Sequence, residues 1–300
     1  MQTQDLQTQD LINRVCAYSG RQCPTEDTCP TDLPGLMILR SRRPTSLQTI
    51  LYKPLLCLIL QGRKETYIGT RQINVAAGES IIVSHHLPVT SRVTEASEQT
   101  PYVALVLELD MAIVRSLYGE VDESELEEAQ ARALKVGATD SALMNAMGRL
   151  FDLVDRPLEA KVMVPLLLRE IHFRLLLARH GGTLRQLLRQ GSHADRIAKV
   201  IAHIKQDYTT PIAVAELASL AGLSPSSFHE HFKALTATTP LQYQKDLRLL
   251  EARRLLMEGN HSVSGAAFEV GYESPTQFSR EYSRKFGASP REDLAKHSRG

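Results

Sequence analysis

Two stretches decide the fold. One is Val214-Ala-Glu-Leu217-Ala218-Ser-Leu-Ala221-Gly222-Leu-Ser-Pro-Ser-Ser-Phe228-His-Glu-His-Phe232. The other is Val263-Ser-Gly-Ala266-Ala267-Phe-Glu-Val270-Gly271-Tyr-Glu-Ser-Pro-Thr-Gln-Phe278-Ser-Arg-Glu-Tyr282. Gly222 and Gly271 stand 49 positions apart, and Phe228/Phe278, Phe232/Tyr282 and Pro240/Pro290 each stand 50 apart. The pattern is a repeat with one residue inserted just after the glycine. In each copy the residues before the glycine place apolar side chains at i, i+3, i+4 and i+7, one face of a helix. The glycine sits where a helix ends in a left-handed residue. Ser224-Pro225 and Ser274-Pro275 then supply an N-cap and a proline for the first helical position. Helix, short turn and helix with an outward polar face is the helix-turn-helix pattern.

Between the copies, 241–258 predicts an amphipathic helix with Leu247, Leu250, Leu255 and Leu256 on its apolar side. Lys245, Arg248, Arg253 and Arg254 are expected outside, and Gly259-Asn260 ends the helix. A rigid connector would set two reading heads about one turn of B-DNA apart, roughly 34 Å. Double-stranded DNA is therefore the expected partner.

The run Phe268-Glu-Val-Gly-Tyr-Glu-Ser-Pro-Thr-Gln-Phe-Ser-Arg-Glu-Tyr282, followed by Phe286-Gly-Ala-Ser-Pro290, closely resembles the signature of the AraC/XylS family of bacterial transcriptional regulators. The resemblance covers about residues 194–294. Gly265 departs from it, at a cost of roughly 1 kcal/mol in helix propensity against Ala. Further upstream, Tyr52-x-Pro54-x₂-Cys57, Gln61-Gly-x-Lys64, Leu87-Pro-Val89 and Leu109-Asp110 resemble a cupin-like N-terminal domain of one AraC-type subgroup. The resemblance implies an α+β chain. Its N-terminal domain over 1–190 would be a cupin-like barrel or sandwich followed by helices, serving sensing and dimerisation. Its all-helical C-terminal domain over 191–300 would hold two helix-turn-helix motifs joined by a linker helix.

Composition agrees with two domains and adds a caution. The chain has 300 residues, 43% hydrophobic, without Trp, enough for two cores. Its formal net charge is +1. Over 195–300 there are 14 Lys and Arg against 12 Asp and Glu, so any DNA affinity rests on where charges sit. The polar, Gln-rich stretch 1–10 lacks the pattern of a secretory leader, and no apolar run has the length of a membrane span. A cytoplasmic location is expected, with Cys16, Cys23, Cys29 and Cys57 as reduced thiols. Three of these cysteines do not have metal-ligand spacing.

Within 36–109 the chain predicts β structure. Met37–Leu39, Leu55–Leu60, Glu65–Ile68, Gln72–Val75, Ser80–Ser84 and Tyr102–Leu109 read as strands, with Gly69-Thr70 as a hairpin turn. Short strands with turns at this spacing form a sandwich or small barrel, and an internal cavity is expected there. His85-His86 are adjacent, so on a strand they point to opposite faces; they read as turn or rim residues. Segments 110–118, 124–134, 140–153, 158–179 and 183–190 read as helices. The fourth, through Val162, Leu166 and Phe173, either packs on the barrel or forms a dimer seam.

On the first recognition helix the outward residues are Ser226, Ser227, His229, Glu230 and Lys233. The family resemblance places base contacts at Ser226, His229 and Glu230. A Glu accepts from a cytosine amino group and a His donates to purine N7. On the second helix, Thr276, Gln277, Ser279 and Arg280 face outward. Arg280 fits a bidentate contact to guanine and Gln277 one to adenine, while Arg284 and Lys285 suit phosphates. The pattern His229-Glu230-x-x-Lys233 lacks the second His of a zinc protease motif. No catalytic or cofactor-binding motif stands out, so no cofactor is expected. The expected partners are DNA, RNA polymerase, a small-molecule effector and a second copy of the chain, with no membrane. The rival readings are a cupin-like metalloenzyme fused to a DNA-binding module and a protein-interaction module.

Overall fold

The structure, a computed structural model, describes residues 2–120, 132 and 134–297. The N-terminal part is a sandwich of two antiparallel sheets flanked by helices. The strands are β1 (Thr28–Pro30), β2 (Leu36–Ser41), β3 (Gln48–Tyr52), β4 (Leu55–Gln61), β5 (Arg63–Ile68), β6 (Arg71–Ala76), β7 (Glu79–Val83), β8 (Leu87–Glu95), β9 (Tyr102–Glu108) and β10 (Leu134–Ala138). One sheet runs β1-β2-β9-β4-β7-β10 and the other β3-β8-β5-β6.

Strand alternation explains the apolar runs. In β4, Leu56, Leu58 and Leu60 face one core while Leu55, Cys57 and Ile59 face another. In β9, Val103, Leu105 and Leu107 face the first core, and Tyr102, Ala104 and Val106 the second. Both strands are buried on two sides, so neither shows a polar face. The first core lies under the helices α1 (Gln2–Gln22), α2 (Met111–Tyr118), α3 (Ser141–Phe151) and α4 (Pro157–Leu177). The second lies between the sheets and is filled by side chains. Clefts lined partly by sandwich residues, at Leu47 to Lys53 and at Ser84 to His86, lie outside this core.

Several expectations need correction. Residues 124–131 and 133 lie outside the described residues, but Leu134–Ala138 is a strand. It pairs with β7 from Leu134↔Val83 to Ala138↔Glu79. The Gln-rich N-terminus is helix α1, held by Leu11, Ile12, Val15 and Tyr18 in the first core. It carries Cys23 to Cys29 of β1, with Cα atoms 5.6 Å apart, and the two form a disulfide. Cys16 and Cys57 remain free thiols. His85 is buried and His86 half-buried in the β7–β8 turn.

Helix α5 (Gly182–Leu188) closes the N-terminal part, with Leu184 in the first core. The C-terminal part is helical: α6 (His193–Gln206), α7 (Val214–Leu220), α8 (Pro225–Thr236), α9 (Pro240–Met257), α10 (Val263–Glu269), α11 (Pro275–Phe286) and α12 (Pro290–His297). Its two cores meet on α9. Tyr243 and Leu247 join α6, α7 and α8, whereas Leu249, Ala252, Leu255 and Leu256 join α10, α11 and α12. The expected single apolar face on α9 is therefore two faces. Among the described residues, no helix is long and apolar enough to cross a membrane.

Candidate nucleic-acid interface

The two repeats build the same local structure. Ser224 Oγ accepts the backbone N–H of Ser227, and Ser274 Oγ that of Gln277, with Pro225 and Pro275 opening each second helix. Gly222 and Gly271 have φ of +62° and +84°, the left-handed conformation that glycine adopts without a Cβ clash. The inserted residue lengthens the second turn by one position, before Ser274. Gly265 sits in the first turn of α10, where its N–H reaches Ser262 Oγ at 3.0 Å.

The second helix of each unit is anchored by aromatic side chains. Phe228 and Phe232 are fully buried in one, Phe278 and Tyr282 in the other. Opposite them on α8, Ser226, His229, Glu230 and Lys233 are exposed and Ser227 is half-buried. On α11, Thr276, Gln277, Arg280 and Arg284 are exposed, and Ser279 and Lys285 half-buried. Beside α11 runs a groove of about 1000 Å³ lined by Ser262, Thr276, Ser279, Arg280, Ser283 and Arg291.

Not every one of these side chains is uncommitted. Lys285 Nζ lies 2.9 Å from Asp246 of α9, with the carboxylate buried and the lysine half-buried. Gln277 donates to Glu281 at 3.3 Å, and Ser279 Oγ donates back to the Pro275 carbonyl at 2.9 Å. Arg280, His229 and Glu230 are exposed to solvent.

The residues missed by sequence reasoning hold the two units together. Two of the four basic residues expected outside α9, Arg248 and Arg253, turn inward. Arg248 donates to the carbonyls of Tyr208 and Thr209 at 2.7 Å each, and of Gly271 at 2.9 Å. It thus ties the loop between α6 and α7 to the turn of the second unit. Gln244 supports the same loop by donating to the Tyr208 and Thr210 carbonyls. Lys245 pairs with Glu281 at 2.8 Å, and Arg253 with Asp293 at 2.8 Å while stacking on Phe286. Arg254 stays exposed, paired with Glu251 and Glu258. Burial pushes the Glu281 carboxyl up, but hydrogen bonds from Lys245, Tyr272 and Gln277 outweigh it and hold the group below the usual carboxylate range. The arrangement is two exposed polar helix faces on one braced scaffold. It offers the donors and acceptors that major-groove readout needs.

The first unit also touches the sandwich. Tyr243 Oη donates to the His86 carbonyl at 2.7 Å, and Lys205 Nζ lies 2.7 Å from His86 Nε2. Ala237, the C-cap of α8, packs against the core between the sheets. It has φ +57°, while its repeat counterpart Gly287 has +73°.

Residues 32–183 match the family described as AraC-type transcriptional regulator N-terminus, and residues 217–296 match a helix-turn-helix domain family. The chain is 35% identical over 126 residues to the HTH-type transcriptional activator RhaS of Escherichia fergusonii, covering 41% of this chain and 44% of that protein. It is 32% identical over 107 residues to the HTH-type transcriptional regulator CdhR of Pseudomonas aeruginosa, covering 36% and 32%. The chain thus spans less than half the length of these curated relatives. ToxT from Vibrio cholerae, solved with an unsaturated fatty acid bound, shares the fold. That comparison has a TM-score of 0.58 at 12% identity and covers 86% of this chain and 94% of that one. With its N-terminal family matched over more than half its length, the chain belongs to the AraC-type transcriptional regulators.

Proposed function

We propose that this chain is a sequence-specific DNA-binding regulator of transcription, acting as an activator, and not an enzyme. The carrying observation is the pair of capped helix-turn-helix units braced by α9, each presenting an exposed polar helix face. Ser226, Ser227, His229, Glu230 and Lys233 would meet one major groove, and Thr276, Gln277, Ser279 and Arg280 the next. Arg284 would contact phosphate. Lys285 would act there only by leaving Asp246, so its role is mainly to hold α11 on α9. The relatives named as activators support the sign of regulation, and RNA polymerase is the partner that an activator would have to meet. A cytoplasmic location is part of the same proposal.

The division falls at 190/191, with a sensing and dimerising N-terminal unit. A small molecule held by the sandwich would shift the balance between arrangements of the two domains. The neighbour solved with a fatty acid bound supports such a site. The dimer face would be the outer side of α4, where Leu158, Val162, Leu166 and Leu177 are exposed. Its opposite side, through Val164, Leu167, Ile171 and Leu175, is already buried in the first core.

Selection of bound sequences from a random duplex pool tests the DNA reading. The full chain should enrich one motif with two half-elements a helical turn apart. Arg280→Ala should relax one position of it, a loss of roughly 1–3 kcal/mol of discrimination. No enrichment, or a motif unchanged by that substitution, rejects the reading.

A further inference from the structure

A cleft of about 910 Å³ runs beside the first recognition helix, where the end of α5 meets the start of α6. Arg132, Arg189, His193 and His231 line it, together with Ala234 of α8. Arg132, Arg189 and His193 are exposed and His231 is half-buried. Among the described residues, no carboxylate lines the cleft. Asp195, in the first turn of α6, is engaged elsewhere. It pairs with Lys199 at 2.9 Å, and both line a separate cleft.

The walls are braced against one another. Ser192 Oγ donates to the Gln186 carbonyl at 2.6 Å and accepts the Asp195 N–H at 3.0 Å. The rings of His193 on α6 and His231 on α8 stack with centres 3.8 Å apart and planes within 12°. The backbone N–H of Arg132 reaches Thr183 Oγ1 of α5 at 3.4 Å. Two guanidiniums and two imidazoles lining one cleft without a counter-charge make a surface for an anion.

Position selects the anion. An α-helix with its side chains is about 10–12 Å across, and the major groove of B-DNA is about 12 Å wide. A helix seated in that groove therefore has a phosphate strand along each flank. Ala234 is exposed and stands one helical turn beyond Glu230, so the cleft borders the face that α8 would turn to the bases. We propose that the cleft receives the phosphate backbone beside the half-site read by α8. Arg132 and Arg189 make the ionic contacts, and the two imidazoles donate N–H groups. This rests on the DNA-reading role proposed above and extends the duplex contact beyond the helix-turn-helix units. Arg132 lies two residues before β10, and Arg189 is the C-cap of α5, so both belong to the sensing unit. The grip on DNA then spans both units. A change in their arrangement alters affinity directly, which couples sensing to binding.

The test is the salt dependence of binding by the full chain to two duplexes, one enriched by the selection above and one of random sequence. Each phosphate neutralised by a basic side chain contributes about 0.9 to the slope of log K against log salt. Arg132→Ala/Arg189→Ala should lower the slope by about 2 on both duplexes and raise Kd near 0.15 M salt by roughly fivefold for each arginine. The preference between the duplexes should stay within about twofold, since phosphate contacts carry no sequence information. Arg132→Ala alone, at an exposed side chain, should keep the parent melting midpoint and still lower the slope by about 0.9. Arg189→Lys should retain the parent slope, because a lysine still binds phosphate as a point charge. Arg254→Ala, at an exposed arginine that does not line the cleft, should also retain it. An unchanged slope in the double variant or in Arg132→Ala, a drop of the alanine size in Arg189→Lys, or an equal drop in Arg254→Ala would each overturn the proposal. Failure of the parent chain to bind either duplex rejects the DNA reading and the cleft with it. Binding with slopes that the cleft variants do not move rejects the cleft alone.

Discussion

Two arginines, one on each of two neighbouring helices, do different work. Arg280 projects from α11 into solvent. Arg248 projects from α9 into three backbone carbonyls that belong to two different units. Hydrogen bonds from a charged donor are worth roughly 1.5–3 kcal/mol each and do not add fully when they share one side chain. Arg248→Ala should therefore cost about 3 kcal/mol in urea unfolding of the C-terminal domain. Arg248→Lys should recover less than half, since an ammonium does not reproduce the planar fork. Arg280→Ala should stay within about 0.5 kcal/mol of the parent, as surface substitutions do, while altering the DNA motif. Equal stability of the two alanine variants would show that Arg248 does not brace the repeat. Ala237 makes a related point. It occupies a left-handed cap where the second copy has Gly287, and its contact with the sandwich core accounts for the side chain being kept despite the strain.

At the scale of elements, α9 and α4 are both apolar on more than one side, for different reasons. In α9 each side faces a separate core, so its buried residues belong to two helix-turn-helix units. In α4 one side is buried and the other is not: Leu166 in the middle of the outer stripe is 58% exposed. If that stripe is a dimer seam, Leu166→Glu should convert dimer to monomer in sedimentation, with a dimer Kd at least a hundredfold higher. The melting temperature of the monomeric unit should barely move, because the residue is already in water within one chain. A parent chain that is monomeric, or a dimer indifferent to Leu166→Glu, would assign the stripe elsewhere.

At the scale of the molecule, the contact between sandwich and first helix-turn-helix unit turns on His86. Burial, with Lys205 and Lys53 nearby, pushes this imidazole down to about 4. Lys205 donates to its Nε2, a bond that only the neutral ring accepts. The pKa of the docked form lies below the ordinary histidine value, so undocked chains bind the proton more readily. The contact is stable at neutral pH and is progressively lost as pH falls from about 6.5 through about 4. Small-angle scattering should show the chain extending across that range, and His86→Gln should flatten the response. Extension of equal size in the glutamine variant would place the pH-sensitive group elsewhere. The docked arrangement is also tight at Gly69 of the β5–β6 turn, where an added Cβ would lie 2.5 Å from the Ala237 carbonyl oxygen.

What the sequence by itself determined was everything governed by local period and local chemistry. The repeat, its caps at Ser224 and Ser274, its left-handed glycines and its aromatic anchors all depend on residues a few positions apart. So do β4, β9 and the hairpin at Gly69-Thr70, whose apolar runs and turn residues are legible without knowledge of the fold. What only the tertiary structure decided depends on partners far along the chain. Leu134–Ala138 is a strand because β7 has an open edge beside it. The N-terminal helix forms on a core made mostly by later residues. A basic residue on α9 lies inside because a loop and a turn present bare carbonyls to it. Lys64 was visible as part of a motif, yet only the sandwich shows it buried without a counter-charge. Periodicity reports which side of an element is apolar; it carries no information about what comes to lie against the other side.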